Sequence, residues 1–371
     1  VLYWALRNGH TEAAKIVIPH EDPTDENGVT ALMRAAERGD AEMAELLAPL
    51  QKGRKADYVE ISGWEIHEGT ALMRAAARGN AEVVKVLVEQ EAYMQDADGR
   101  TALMMASEKG RIECVKLLLE KEARMKDIYS CTALVYAARA GHREAAELPM
   151  EHEKDVTGWT SLICAAYLSD INAVRDNLHE KGCKDITGRT ALMWAIHRER
   201  AEVVRILVEE EGGMQNSWGW TALMFAARRD QADCIRLLLD KEGGVQDKDG
   251  WTAIMFGARH GHTECIRLLV EKEAGKYYCE GLTPLMMAAR NSHTECVKLL
   301  MEKEGGMYND NGWTALMVAA YWNRLECARL LAEREKDMKT TRKWFGFPPG
   351  ATALSIAKRM GHKRIASFLR K

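Results

Sequence analysis

Short apolar and polar stretches return along the chain in a block of about 31 residues. The string Thr-Ala-Leu-Met, or a close variant of it, begins at eleven threonines: Thr30, Thr70, Thr101, Thr132, Thr160, Thr190, Thr221, Thr252, Thr283, Thr314 and Thr352. A copy without its threonine opens the chain, so about twelve blocks fill it. A fixed period of this size is typical of stacked repeat arrays and argues against a division into unrelated globular domains.

Each block predicts two helices. Threonine caps a first helix whose buried face carries Leu72, Ala75 and Ala76 in one copy, and a glycine or another turn residue ends that helix. A second helix follows with an early Glu and a Leu-Leu pair, and an Asp-x-x-Gly turn leads to the next block. One such unit cannot bury its apolar face alone. The pattern therefore predicts an all-α solenoid of about twelve helix-turn-helix units with short hairpin-like fingers.

This block resembles the ankyrin repeat, whose usual signature is T-P-L-H-x-A-A. Methionine replaces the histidine in most copies, as at Met33 and Met73, and only Thr283-Pro284 keeps the proline. The TALM-x-AA form is similar to the expanded ankyrin families of flagellated protists, in which repeats stand alone or follow a serine/threonine kinase domain. The resemblance covers essentially the whole chain and implies a non-enzymatic scaffold that binds proteins.

Irregular spacings predict how the array is divided. Nine extra residues between Thr30 and Thr70 predict a long finger at 51–69, and Pro149 predicts an interrupted second helix and a hinge near residues 145–185. We therefore expect N-terminal repeats over 1–150, C-terminal repeats over 151–351 and a polar capping repeat over 352–371. The first repeat begins in the middle of its motif, which favours a chain cut from a longer protein.

Seven extra residues precede Thr352 and contain an apolar cluster that includes Trp344, Phe345 and Phe347. Two interpretations stay open at this point. The cluster either folds over the last interface between repeats or forms an exposed docking knob.

Composition narrows the class of function. Lys+Arg 52 against Asp+Glu 55 gives a net charge of -3, which argues against a dedicated nucleic-acid binder. Nine cysteines without a C-x-x-C pair indicate reduced thiols and a cytoplasmic location. No apolar run approaches the roughly 18 residues of a membrane span. Five cysteines share one repeat position, interpreted as small core residues: Cys114, Cys234, Cys265, Cys296 and Cys327. We expect no membrane contact, catalysis, cofactor or metal.

The resemblance places the residue before each threonine on a finger and the last residues of each first helix in a concave groove. The predicted partner-binding residues are Trp159, Trp220, Trp251, Trp313, Trp194, Phe225, Phe256, Arg198, Arg228, Arg229, Arg259, Arg290, Trp344 and Phe345. Trp and Arg are the residue types that dominate interface hot spots. For any single residue the alternative is structural, since a Trp can pack on a finger stem and an Arg can meet a helix C-terminus.

Acidic runs at the ends of the second helices, such as Glu120-Lys121-Glu122 and Glu271-Lys272-Glu273, predict an acidic rim around this groove. A basic, aromatic groove predicts an acidic protein partner and makes nucleic acid an unexpected one. The protist resemblance implies a cytoskeletal partner, with tubulin's acidic tails as a candidate. Two other functions stay open: the targeting tail of an upstream kinase, and a structural spacer or self-assembly element.

Overall fold

The computed structural model describes residues 1–57, 59–61, 64–278 and 281–370. The chain packs as two units, Val1–Leu168 and Ser169–Lys371. Tyr58, Ser62 and Gly63 of the predicted long finger and Lys371 of the predicted cap lie outside the described residues. The division predicted at residues 150 and 351 stays a prediction.

The first unit holds eleven helices and one two-stranded hairpin in its described residues. Its elements are α1 Leu2–Arg7, α2 Thr11–Glu21, α3 Ala31–Arg38, α4 Ala41–Gln51, β1 Val59–Ile61, β2 Trp64–Ile66, α5 Ala71–Arg78, α6 Ala81–Glu91, α7 Ala102–Glu108, α8 Ile112–Glu122, α9 Ala133–Ala140, α10 Arg143–Thr157 and α11 Ser161–Leu168. The strands pair antiparallel and place the hairpin within the long finger predicted at 51–69.

The second unit continues the same alternation of helices. Its elements are α12 Ile171–Asp176, a 3-10 helix Leu178–Glu180, α13 Ala191–His197, α14 Ala201–Glu211, α15 Ala222–Arg228, α16 Ala232–Glu242, α17 Ala253–His260, α18 Thr263–Glu273, α19 Pro284–Asn291, α20 Thr294–Glu304, α21 Ala315–Tyr321, α22 Leu325–Glu335, α23 Ala353–Arg359 and α24 Lys363–Phe368. Within each unit the first helix of a pair packs on the first helix of the next, and second helices pack likewise. The predicted all-α solenoid of helix pairs is confirmed.

The threonine begins each first helix for the reason the sequence indicated. The Thr70 hydroxyl accepts a hydrogen bond from the amide of Met73 at 3.4 Å, which satisfies one of the free N–H groups of the first turn. Gly79 ends the same helix in the left-handed conformation, with φ of 88°. Leu72, Ala75 and Ala76 are buried between these ends, so the helix face predicted to be apolar is the core face.

Side chains tie each finger together. Asp96 Oδ1 accepts from the amides of Asp98 at 3.0 Å and Arg100 at 2.7 Å, and Asn216 and Asn309 take the same place in later repeats. Gln95 Nε2 donates to the carbonyl of Lys126 in the next finger at 2.9 Å. These bonds order the segment that carries the aromatic residues before each threonine.

Pro149 does not interrupt its helix, so that part of the sequence prediction is wrong. Helix α10 runs over 15 residues with the buried Pro149 inside it. Gly158 ends it at a φ of 68°, so Asp155–Gly158 is the end of a helix and not a finger turn. Proline removes one N–H, a cost that packing of the surrounding repeat offsets here.

Within the part of the chain that the structure describes, no helix combines the length and apolar character required to cross a bilayer.

Candidate binding surface

An aromatic row runs along the finger stems and first helices of the second unit. The ring centroids of Trp220 and Phe225 lie 5.2 Å apart, and Trp220 meets Phe256 edge-on at 4.6 Å. Trp251 continues the row, 4.9 Å from Phe256 and 5.2 Å from Tyr278. The two phenylalanines are buried and the two tryptophans are half-buried, so the row is both core and surface.

Arginine guanidiniums lie over the exposed edge of this row. Arg228 Cζ is 5.5 Å from the Trp220 ring centroid, Arg259 Cζ is 5.5 Å from that of Trp251, and Arg290 Cζ is 4.7 Å from that of Trp322. The three arginines are exposed, and no ion pair joins them to a carboxylate among the described residues. We call Trp220, Trp251, Arg228, Arg259 and Arg290 the aromatic–arginine surface. It presents positive charge held in place by cation–π contacts.

The other two predicted arginines differ from these. Arg229 is exposed, and its Nη1 donates to the carbonyl of His197 at 3.3 Å. Arg198 is half-buried and has a partner of its own. In the first unit the corresponding surface is neutralised, because Arg74 pairs with Glu37 and Arg34 Nε lies 2.7 Å from Asp22. Free positive charge therefore belongs to the second unit's surface.

Three of the predicted contact tryptophans are buried. Trp313 is 1% exposed and Trp159 is 3% exposed, so neither indole is available to a partner. Trp194 is also buried, and its Nε1 donates to Asp185 Oδ2 at 3.0 Å within its own finger. The structural alternative holds for these three residues, and their prediction as direct contacts is corrected to a supporting role.

The cluster before α23 combines both interpretations of its sequence. Phe347 is buried and its ring lies 5.8 Å from that of Trp313, which it helps to cover. Phe345 is 53% exposed, although its ring stacks on Tyr321 at 5.0 Å. Trp344 is half-buried, 5.1 Å from Trp313. The segment closes over the last repeats and still presents one aromatic face to solvent.

A cavity of about 450 Å³ opens beside this cluster. Trp251 and Tyr278 line one side and Trp322, Trp344 and Phe345 line the other. Other residues that line it are Arg259, Leu282, Met286, Met287, Arg290, Asn291, Trp313 and Val318. It lies at the end of the aromatic–arginine surface, entirely within the second unit.

The predicted acidic rim is only half right. The last glutamate of each acidic run is buried: Glu122, Glu211, Glu273 and Glu304. Glu304 Oε2 accepts from the amide of Leu285 at 2.7 Å, in the first turn of its own repeat. Its Oε1 accepts from the amide of Gly275 at 2.9 Å, which follows the second helix of the preceding repeat. The carboxylate therefore caps one helix and joins two repeats.

The same arrangement recurs at a constant distance from the repeat threonine. Buried glutamates 21 residues after a threonine each accept from the amide 19 residues earlier: Glu91, Glu122, Glu153, Glu211, Glu242, Glu273, Glu304 and Glu335. Gln51 takes the place of the carboxylate once, accepting from Leu32 at 2.8 Å. Burial raises the pKa of Glu304, while the two amide donors lower it less.

The exposed glutamates of the runs are neutralised by the next repeat. Lys121 Nζ lies 3.0 Å from Glu89, Lys303 Nζ lies 2.9 Å from Glu271, and Arg334 Nη2 lies 3.2 Å from Glu302. Exposed pairs of this kind contribute about 0–1 kcal/mol each. They leave the outer ends of the second helices with mixed charge and no acidic rim.

The repeated cysteines are core residues, as predicted. Cys114, Cys234, Cys265, Cys296 and Cys327 are buried, and burial raises the pKa of Cys114, Cys234 and Cys327 to about 11, which suppresses thiolate chemistry. Cys279 lies outside the described residues. Among the described residues no group of three His, Cys, Asp or Glu side chains could hold a metal ion.

Sequence reasoning missed a set of exposed apolar residues on the fingers. These side chains are Tyr93, Ile128, Tyr129, Ile186, Trp218, Tyr277 and Tyr308. They precede the repeat threonine by three to eight positions, where other copies carry polar residues such as Asp98 and Lys248. That substitution within a repeat position was the available signal.

The family model described as ankyrin repeats (3 copies) matches residues 1–60, 59–129, 170–244, 209–279, 233–309, 274–343 and 306–371. These ranges overlap and do not count the repeats, so the number twelve stays a prediction. The chain is also similar to the crystal structure of the ankyrin repeat domain of Bcl-3, described as a unique member of the IkappaB protein family. The identity is 23% and the TM-score 0.51, over 58% of this chain and 100% of that one.

No curated protein matches the chain. The likeness to the Bcl-3 domain concerns the fold, and the family matches cover well over half of the sequence. Together with the threonine-capped helix pairs, they establish that the chain belongs to the ankyrin repeat family.

Proposed function

We propose that this chain is a non-enzymatic scaffold that binds an acidic protein segment on its aromatic–arginine surface. Ankyrin repeats indicate a protein-interaction scaffold in general terms. The observation that carries the finer proposal is that Arg228, Arg259 and Arg290 lie over indole rings with no carboxylate partner among the described residues.

Stacked arginines suit carboxylate recognition for a physical reason. A guanidinium is planar, stays charged and offers two parallel N–H donors that match a carboxylate. Its side chain ordinarily loses rotamer freedom on binding, and stacking on Trp220 or Trp251 reduces that loss before a partner arrives. The same rings can contact apolar parts of the partner.

The proposed contacts divide the predicted residues by accessibility. Direct contacts are Trp220, Trp251, Arg228, Arg229, Arg259, Arg290, Trp344 and Phe345. Trp194, Phe225 and Phe256 support the surface from below. A cytoskeletal partner remains part of the proposal, and the acidic tails of tubulin are the first candidate because they present consecutive carboxylates.

Charge reversal of Arg228, Arg229 and Arg259 to Glu tests the proposal. We expect the triple variant to lose at least about tenfold in affinity for microtubules in co-sedimentation and for a polyglutamate peptide in fluorescence polarisation. Raising the salt concentration should weaken the wild-type complexes in the same assays.

A matched control reverses Arg205, Arg236 and Arg267, which lie on second helices and pair with neighbouring acidic residues. This control changes the net charge equally and should bind like wild type. Equal losses in both variants, or no loss in either, would contradict the surface. Binding of polyglutamate without microtubules would remove tubulin and keep the acidic partner.

A further inference from the structure

The cavity at the end of the aromatic–arginine surface exists because one repeat departs from its neighbours. Trp220 and Trp251 precede the threonines of two successive repeats, with Phe225 and Phe256 four residues after them. In the next repeat, the equivalent positions hold Leu282 and Met287. The two smaller side chains interrupt the aromatic row and leave the space that Tyr278, Trp322 and Phe345 enclose.

The far wall of the cavity is fixed in place. Trp344 and Phe347 exchange backbone hydrogen bonds of 3.1 and 2.8 Å, and Arg359 Nη1 donates to the carbonyl of Gly346 at 2.8 Å. Phe345 adopts a φ of 46°, which is unfavourable for a residue with a side chain. The tight turn therefore holds an exposed aromatic ring at the mouth of the cavity in a conformation that the neighbouring contacts maintain.

Charge at the mouth has one sign. The lining residues that the structure describes include Arg259 and Arg290 and no Asp or Glu. His260 lies next to Arg259 in the chain, and burial together with nearby His262, Arg259 and Arg228 lowers its pKa. An occupant thus meets aromatic faces inside and guanidiniums at the rim.

From these features we propose that the cavity binds a bulky aromatic side chain of the acidic partner segment, with carboxylates of the flanking residues on Arg259 and Arg290. This inference rests on the proposed function and specifies the sequence that it recognises. The volume lies within the range of roughly 300–1,000 Å³ typical of ligand sites, which is enough for one large side chain and part of its neighbours. Anchors of this kind in a central pocket dominate interface energetics.

Selection from a random peptide library displayed on phage tests the specificity. The target is the full chain, and the readout is the sequence pattern of the enriched peptides. We expect Trp, Phe or Tyr with Asp or Glu on one or both sides. Dissociation constants of the best peptide and of its aromatic-to-Ala form, measured by fluorescence polarisation, should differ by at least tenfold.

Two variants fill the cavity with residues that the neighbouring repeats already carry. Met287→Phe and Leu282→Trp restore the aromatic row and should keep the fold, since Phe256 and Trp251 occupy those positions one repeat earlier. Each should weaken the aromatic peptide at least tenfold and leave its Ala form unchanged. Met105→Phe makes the same kind of change in the first unit and serves as the control that keeps affinity.

The outcomes separate this inference from the proposed function. Enriched peptides that are acidic without an aromatic residue overturn the cavity and leave the acidic partner standing. Aromatic acidic peptides that bind Met287→Phe and Leu282→Trp as tightly as wild type also overturn the cavity, because they sit elsewhere. Enrichment of basic or uncharged peptides, or of none, counts against both proposals.

Discussion

At the scale of single residues, the repeat depends on a buried carboxylate. Glu304 accepts hydrogen bonds from Leu285 and Gly275, two amides that have no helical partner. A buried N–H without an acceptor costs about 1–3 kcal/mol. The carboxylate thus serves the first helix of its own repeat and the loop that ends the repeat before it.

Substitution of Glu304 by Ala should therefore destabilise the second unit by about 2–4 kcal/mol, because it leaves two amides unpaired. Native-state hydrogen exchange at the Leu285 and Gly275 amides is the measurement, since a repeat array need not unfold in one step. Protection at both amides should fall together.

Glu302→Ala is the control two residues away. Glu302 is exposed and pairs with Arg334 at 3.2 Å, so its loss should change stability by at most about 1 kcal/mol. Glu304→Gln should lie between the two, since Gln51 keeps one such bond to Leu32. A loss at Glu302 as large as that at Glu304 would refute the bridging role.

Residue type and repeat position predicted the caps but not which members of a series are buried. Trp220 and Trp313 occupy the same position, yet Trp313 is covered by Trp344 and Phe347 from an insertion 31 residues later. Glu122 and Glu304 read as solvated because charged residues are seldom fully buried. Their constant 21-residue spacing from threonine was visible, but the two amides that they satisfy come from elements the spacing does not reveal.

At the scale of elements, second helices tolerate proline at a cost. Pro49 lies inside α4 and is exposed, at the position where later repeats carry Glu89, Glu120 and Glu271. The sequence treated Pro149 as the end of a helix, but α10 continues through it. Propensity alone could not settle this, because contacts between stacked repeats set the helix length.

Pro49→Glu should stabilise the first unit by about 1–3 kcal/mol, because it restores a helical N–H without altering the core. The thermal midpoint followed by circular dichroism should rise. Pro284→Ala is the matched control, since Pro284 occupies the first turn of α19, where its ring favours the helix. Its midpoint should stay or fall slightly. Equal rises for both variants would show that proline content, and not position, sets stability.

At the scale of the whole molecule, repetition turns one buried carboxylate into a pH response. Burial raises the pKa of seven of these groups above the ordinary value: Glu91, Glu122, Glu153, Glu242, Glu273, Glu304 and Glu335. A raised pKa means that the folded chain binds protons more tightly than the unfolded chain. The free energy of unfolding then falls as pH rises from the unfolded value of 4.5 through the folded values.

We therefore expect a higher thermal midpoint near pH 5.5 than near pH 8, at constant ionic strength. Exposed ion pairs such as Lys303–Glu271 oppose this trend only when their carboxylates protonate, below about pH 4. The double variant Glu273→Gln/Glu304→Gln removes two of the titrating groups and should show a smaller difference between the two pH values. Glu271→Gln/Glu302→Gln, which changes two exposed groups by the same chemistry, should keep the wild-type difference. A midpoint that rises from pH 5.5 to pH 8 in wild type and flattens in the buried double variant would mean that the amide donors outweigh burial, so that the carboxylates are charged in the folded chain.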